Sequence, residues 1–251
     1  MPSLMMNADM GESFGPWVMG LDEQVMPWID LAKEACGFHA SDPHVMRRTV
    51  RLAVKKPGAP GRPSRLPGSG GFWPAVTGLL ACGGGRPHAL QMGALAGICA
   101  AEGTRLHYVK PRGALYNDMA RAPALFEAAA RAVKAFDPSL PLMTMAARDT
   151  SREQGIADKV GVTLWYEAFA DRAYDKDGRL VSRRELGAVH HEAKIIVDQA
   201  VRIARGDPLT ASDGSDLILS AQALCVHGDN EEFIAAVRAI REALQALDAS
   251  A

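Results

Sequence analysis

Ala35-Cys36-Gly37-Phe38-His39-Ala40-Ser41-Asp42-Pro43 is where the chain turns from apolar to reactive. An apolar run closes in Cys-Gly-Phe and is followed at once by an imidazole and a carboxylate. Pro43 suits the first turn of a helix, where its missing N–H is not needed, and Asp42 before it is a natural N-cap. The stretch therefore reads as strand end, turn and helix start, with His39 and Asp42 left at the strand's C-terminal edge. That edge is where α/β proteins place their sites. Taken alone, the same residues also describe a helix cap beside a histidine satisfied in the core.

The pattern recurs on both sides. Leu4-Met5-Met6-Asn7-Ala8 is a short apolar run that leads into Asp9-Met10-Gly11-Glu12, a strand followed by a Gly-containing loop. Residues 21–35 include a helix, and 43–56 carry apolar side chains at helical spacing with Arg and Lys outside. Residues 91–102 form a helix closed by Gly103 as the residue past its end. Residues 106–109 read as a strand and 110–117 as the loop after it. Strands at 140–146, 162–170 and 224–226 alternate with helices at 123–136, 151–159, 192–205 and 231–247. Strand, loop and helix in repetition predict parallel β/α architecture.

A chain of 251 residues with net charge −1 and 23% charged residues offers no field for a polyanionic partner, so nucleic acid and membrane surfaces are set aside. The four cysteines, Cys36, Cys82, Cys99 and Cys225, are scattered without a C-x-x-C pair, as reduced thiols are. None has an evident basic neighbour, and Cys36 and Cys225 read as core. The N-terminus shows no basic region before a long apolar run, and no segment approaches a membrane span. The expectation is a cytoplasmic protein with a single domain over 1–251. Residues 57–90 stand apart: they are rich in Gly and Pro, and no Asp or Glu lies between Asp42 and Glu102. By composition they are irregular.

The polar residues just after each strand pair up as Asp9/Glu12, His39/Asp42, Lys110/Arg112, Asp171/Arg172 and His227/Asp229. In a β/α barrel these loops share one rim, so residues distant in sequence meet in one cleft. Such a set suits hydrolysis. Carboxylates and histidines move protons or hold a divalent metal, while Lys110 and Arg172 can stabilise an oxyanion or hold a substrate carboxylate. No phosphate-binding loop, dinucleotide fingerprint or G-x-S-x-G elbow is present.

Five segments match one family in order: Asn7-Ala8-Asp9-x-Gly11-Glu12, Ala35-Cys36-Gly37-Phe38-His39-Ala40-x-Asp42, Val109-Lys110-Pro111-x-Gly113-Ala114-Leu115-Tyr116-Asn117, Phe169-Ala170-Asp171-Arg172-x-Tyr174 and Val226-His227-Gly228-Asp229. The chain resembles the LamB/YcsF family, the A components of prokaryotic 5-oxoprolinase. The resemblance implies a distorted seven-stranded β/α barrel, similar to glycoside-hydrolase-like and polysaccharide-deacetylase barrels. It also implies ATP-dependent opening of 5-oxo-L-proline to L-glutamate together with subunits B and C, with ATP used through the complex. On the matching positions, Asp9, Glu12, His39, Asp42, Lys110, Asp171 and Arg172 are candidate catalytic groups. Asn7, Tyr116, Asn117, His227 and Asp229 are candidate substrate contacts, and Asp9 with His39 candidate ligands of a divalent metal. Two other readings use the same residues: a metal-dependent amide hydrolase or deacetylase, and an inactive paralogue.

The chain departs from the family in three places. Arg112 stands where the family commonly has His, which replaces a proton carrier by a permanent cation. Ala32-Lys33-Glu34 stands where Ala-Asn-Ile or Ala-Asn-Val is usual. The family's Gly-Ala-His-Pro and Gly-Phe-Gly-Arg motifs are both missing from 57–90. Read one base later, codons for Gly58-Ala59-Pro60-Gly61 permit Ala-His-Pro, and those for Gly71-Phe72-Trp73-Pro74 permit Gly-Phe-Gly-Arg. The segment thus reads as a pair of compensating frameshifts, to be checked by the nucleotide sequence across codons 56 to 91. As written, it is expected to lack a β-strand.

Overall fold

The computed structural model describes residues 4–36, 40–55, 73–77, 86–227 and 231–250. Parallel strands alternate with helices: β1 (Met5–Met10), α1 (Asp22–Val25), β2 (Leu31–Ala35), α2 (Pro43–Lys55), β3 (Trp73–Thr77), α3 (Arg86–Ala101), β4 (Tyr108–Val109), α4 (Gly113–Met119), α5 (Pro123–Phe136), β5 (Leu142–Met145), α6 (Ser151–Val160), β6 (Leu164–Phe169) and α7 (Ala193–Arg205). A small antiparallel hairpin of β7 (Leu209–Thr210) and β8 (Asp216–Leu217) follows, then β9 (Ala223–Val226) and α8 (Glu231–Ala249). Each strand from β1 to β6 pairs in parallel with the next, and β9 lies between β6 and β1, so the sheet curls back on itself.

The period of two along each strand sorts side chains between the sheet's two faces. Met6, Ala8 and Met10 of β1 pack outward with residues of α7 and α8, including Ile196, Ala200, Val237 and Ile240. Facing inward, Leu31, Tyr108, Met143 and Ala223 join Met5 and Trp165 in a separate apolar cluster that floors the interior, with the Tyr108 and Trp165 rings stacked at 5.7 Å. Two residues further along the same strands come Asn7, Lys33, Lys110, Glu167 and Cys225, every one of them buried. Two further still come Asp9, Arg112 and His227. An apolar floor, a buried polar layer and a rim thus follow from register alone.

α8 is tied to the start of the barrel by Arg241. Its guanidinium, almost wholly buried, donates to the Trp28 carbonyl at 2.8 Å and to Asp30 Oδ2 at 2.7 Å, which also accepts from the Met6 N–H.

Several expectations are corrected. Residues 57–90 are not irregular throughout: β3 pairs with both β2 and β4, and α3 begins at Arg86. Trp73, Val76 and Thr77 are strong strand formers, and a vacant place between β2 and β4 accepts them although Pro74 has no N–H to give. Pro87 suits α3's first turn. The expected loop at 110–117 is largely α4, and the strand at 106–109 shrinks to two residues. In 21–35, Pro27 stops the helix after one turn and a 3-10 turn, so β2 starts at Leu31. The reading of 56–72 and 78–85 lies outside the described residues.

Candidate active site

β1 and β2 bring Asp9 and Lys33 side by side as register partners. Lys33 Nζ lies 2.7 Å from Asp9 Oδ1 and donates to Cys225 Sγ at 3.1 Å. Arg112, from the turn between β4 and α4, closes over the top, pairing with the other oxygen of Asp9 and with Glu12 at 2.6 Å. On the opposite side, Lys110 Nζ meets the Glu167 carboxylate at 2.5 Å, and the Tyr116 hydroxyl of α4 donates to Glu167 Oε2 at 2.8 Å. The Lys110 ammonium also lies about 5 Å from the Tyr116 and Phe169 ring centres.

Each of these cations faces a carboxylate, because no ion survives unpaired in such a place. Burial alone would raise the Asp9 pKa, but Lys33 and Arg112 outweigh it and hold the carboxyl well below its usual range. Burial would likewise raise Glu167, yet Lys110 and Lys33 bring it below the ordinary value. Lys110 is pushed down by burial, more than Glu167 restores. Burial pushes the Cys225 thiol up to about 11, against the pull of Lys33 and Lys110. It stays protonated and is no nucleophile. Glu34, behind β1 under Gly11, is raised well above its ordinary value by burial and by Asp22.

A second group stands at the rim where β6 and β9 adjoin. His227 Nδ1 lies 2.8 Å from Asp171 Oδ2, and its Nε2 lies 3.4 Å from an Arg183 guanidinium nitrogen. An arginine nitrogen can only donate, so Nε2 meets it with its lone pair. Burial would raise Asp171, but its contact with His227 keeps the carboxyl below the ordinary value. The loop that presents Asp171 is fixed from behind: Gln199 Nε2 of α7 reaches the carbonyls of Phe169, Ala170 and Arg172 at 2.8, 3.1 and 2.8 Å. The Tyr174 hydroxyl accepts from the Phe169 N–H at 2.6 Å. An imidazole held by a carboxylate, with the far nitrogen facing outward, is the arrangement of a general base.

The expected site residues therefore divide. Asp9 and Glu12 meet across Arg112, Lys110 and Tyr116 meet around Glu167, and Asp171 meets His227. Asn7 lies in the same layer, fully buried, with no hydrogen-bond partner for either amide atom among the described residues. Asp42 is elsewhere: its Oδ1 caps α2 through the His44 and Val45 N–H groups, and its Oδ2 accepts from Gly15. Arg172 turns away from the rim, donating to the carbonyls of Val181 and Ala188 at 2.6 and 3.2 Å. The Asn117 side chain lies along its own helix, donating to the Gly113 carbonyl at 3.4 Å. His39 and Asp229 lie outside the described residues.

Lys33, Glu34, Glu167, Cys225, Arg183 and Gln199 are not among the candidate site residues of the sequence, although Lys33-Glu34 departs there from the family pattern and Cys225 reads as core. For Lys33 and Glu167 a signal existed, since a charge inside an apolar strand run demands a buried partner. Cys225, expected to lack a basic neighbour, has Lys33 against its sulfur. Both Asp9 oxygens face cations, and among the described residues, which do not include His39, no group of three His, Cys, Asp or Glu side chains converges on a common point.

The LamB/YcsF family model matches residues 4–251. The chain is 58% identical over 250 residues to a protein of Chromohalobacter salexigens named as the A component of 5-oxoprolinase, covering 98% of this chain and 99% of that one. It is 44% identical to the protein of the same name from Vibrio cholerae, over 96% of this chain and 98% of that one. Among solved structures, the lactam utilization protein of Thermus thermophilus superposes with a TM-score of 0.83 at 30% identity, covering 98% of this chain and 97% of that one.

Proposed function

The chain belongs to the LamB/YcsF family, and from that premise we propose that it is the component of a 5-oxoprolinase that opens the lactam of 5-oxo-L-proline to L-glutamate. The observation that carries the chemistry is the Asp171–His227 pair, with Nε2 turned outward at the rim. The relatives' shared name supports the substrate and the need for other subunits.

In this reading His227 Nε2 takes a proton from the attacking water, whose oxygen bonds to the lactam carbonyl carbon. Asp171 holds the ring and balances the imidazolium that forms. The same Nε2–H then protonates the ring nitrogen as the C–N bond breaks, which leaves the amine of glutamate and a carboxylate. Lactam opening is uphill enough to require coupling, and ATP, used through the assembled complex, supplies that drive. The buried layer of Lys33, Lys110, Asp9 and Glu167 fixes the electrostatic field beneath the rim without further reorganisation. We read the curled sheet as a distorted seven-stranded barrel, supported by the pairing of β9 with β1. Assembly with subunits B and C is supported by the exposed apolar side chains of Phe14, Trp17, Val18 and Met19 beside the rim.

The test is glutamate release from 5-oxo-L-proline by the chain assembled with subunits B and C, with and without ATP. ATP-dependent release, abolished by His227→Asn, is the expected result; an intact assembly that releases none overturns the proposal. One observation favours a second reading, a chain that assembles but does not turn over: Arg112 clamps both Asp9 and Glu12. Turnover gained by Arg112→His, and missing without it, would single out that reading.

A further inference from the structure

The substrate just proposed is an anion, and the site's cations are nearly all engaged. Lys33 faces Asp9, Lys110 faces Glu167, and Arg112 faces Asp9 and Glu12. Arg172, the expected carboxylate partner, donates to two backbone carbonyls instead. Those carbonyls belong to Val181 and Ala188, which bracket the segment carrying Arg183. Arg172 thus pins the base of a loop whose exposed arginine leans back over the rim.

Arg183 is different from the others. Among the described residues no carboxylate lies within ion-pair reach of it, and its side-chain contact is with His227 Nε2 at 3.4 Å. Burial lowers the Arg172 pKa, and the Arg183 charge lowers it further. Two guanidinium groups therefore share a neighbourhood in which Asp171 is the one carboxylate near Arg172 among the described residues, a setting that attracts an anion.

We propose that Arg183 is the specificity-determining anchor for the carboxylate of 5-oxo-L-proline, an assignment that rests on the substrate reading above. The carboxylate sits on the carbon next to the ring nitrogen, so a guanidinium beside Nε2 places the scissile C–N bond at the base that serves it. A planar guanidinium grips a carboxylate through two parallel N–H donors, which fixes orientation as well as position. Occupying Arg183 also removes it from Nε2 and frees that lone pair for the water. The anchor thereby couples recognition of the acid to release of the base.

The experiment compares binding of 5-oxo-L-proline with binding of its neutral carboxamide by titration calorimetry, on the full chain assembled with subunits B and C. The proteins are the wild type, Arg183→Ala, Arg183→Lys and a neighbouring control, Arg184→Ala. The wild type is expected to prefer the acid, and Arg183→Ala to weaken acid binding by roughly tenfold or more while leaving the carboxamide unchanged. Arg183→Lys should recover part of the preference, and Arg184→Ala should match the wild type. An Arg183→Ala protein that keeps the preference, or loses both ligands equally, overturns the anchor and leaves the substrate reading intact. A wild-type assembly that binds neither ligand overturns both.

Discussion

Replacing Glu167 by Gln tests whether the interior is held together by charge pairing. Gln keeps the volume, and its amide oxygen still accepts from Tyr116, so what disappears is the negative charge 2.5 Å from Lys110. Glu167 is fully buried and the Lys110 side chain is 4% exposed, so solvent cannot compensate. Removing one partner of such a pair costs about 3–5 kcal/mol. The pH dependence follows from Lys110, whose pKa already lies below 10.5 because burial outweighs Glu167. Without Glu167 it falls further, so the folded variant binds fewer protons than the unfolded chain and its stability rises with pH. The loss is therefore full below the folded lysine's pKa and fades as pH climbs toward the unfolded value. Urea unfolding followed by circular dichroism at about pH 7 and about pH 9.5 measures both quantities. A second replacement, Lys110→Met, leaves no charge to strand and should recover much of the loss. A deficit under about 1 kcal/mol at neutral pH, or one equal at both pH values, would refute the reasoning.

Three further outcomes are expected. Gly11 has φ +66° and lies against the Glu34 carboxyl, so Gly11→Ala should lower stability by about 2 kcal/mol or more, read as a fall in melting temperature. His227→Asn and Asp171→Asn should each reduce turnover of the complete assembly by on the order of 10²-fold or more, with melting temperature nearly unchanged. The Asp9 carboxyl is held below its ordinary 3.8 by cations, so its contribution is present above that value and is lost as pH falls. Arg112→Ala should accordingly move acid unfolding to higher pH, visible in a circular dichroism titration.

Much of the architecture is legible in the chain. Apolar runs followed by Gly, Pro or Asp punctuation locate the strands and helices, since backbone propensity and period are local properties. Asp9, Lys110, Asp171 and His227 stand out by their place after such runs, and the structure brings them to the interior and rim of one curled sheet. Less legible is β3. Its Trp-Pro-Ala-Val-Thr run looks like part of a breaker-rich stretch, and the open hydrogen-bonding edges of β2 and β4 recruit it.

The division of labour among the polar residues belongs to the tertiary structure. Asp42 and Arg172 carry the same chemistry as Asp9 and Lys110, yet the fold assigns the first pair to backbone groups and the second pair to ion pairs with Lys33 and Glu167. Lys33 and Glu167 lie more than a hundred residues apart from each other, and only strand register places both charges around one interior. Sequence determines which side chains face inward, because alternation along a strand is fixed residue by residue. Which of them meet is decided by closure of the sheet, because an ion pair depends on distances that only the folded chain defines.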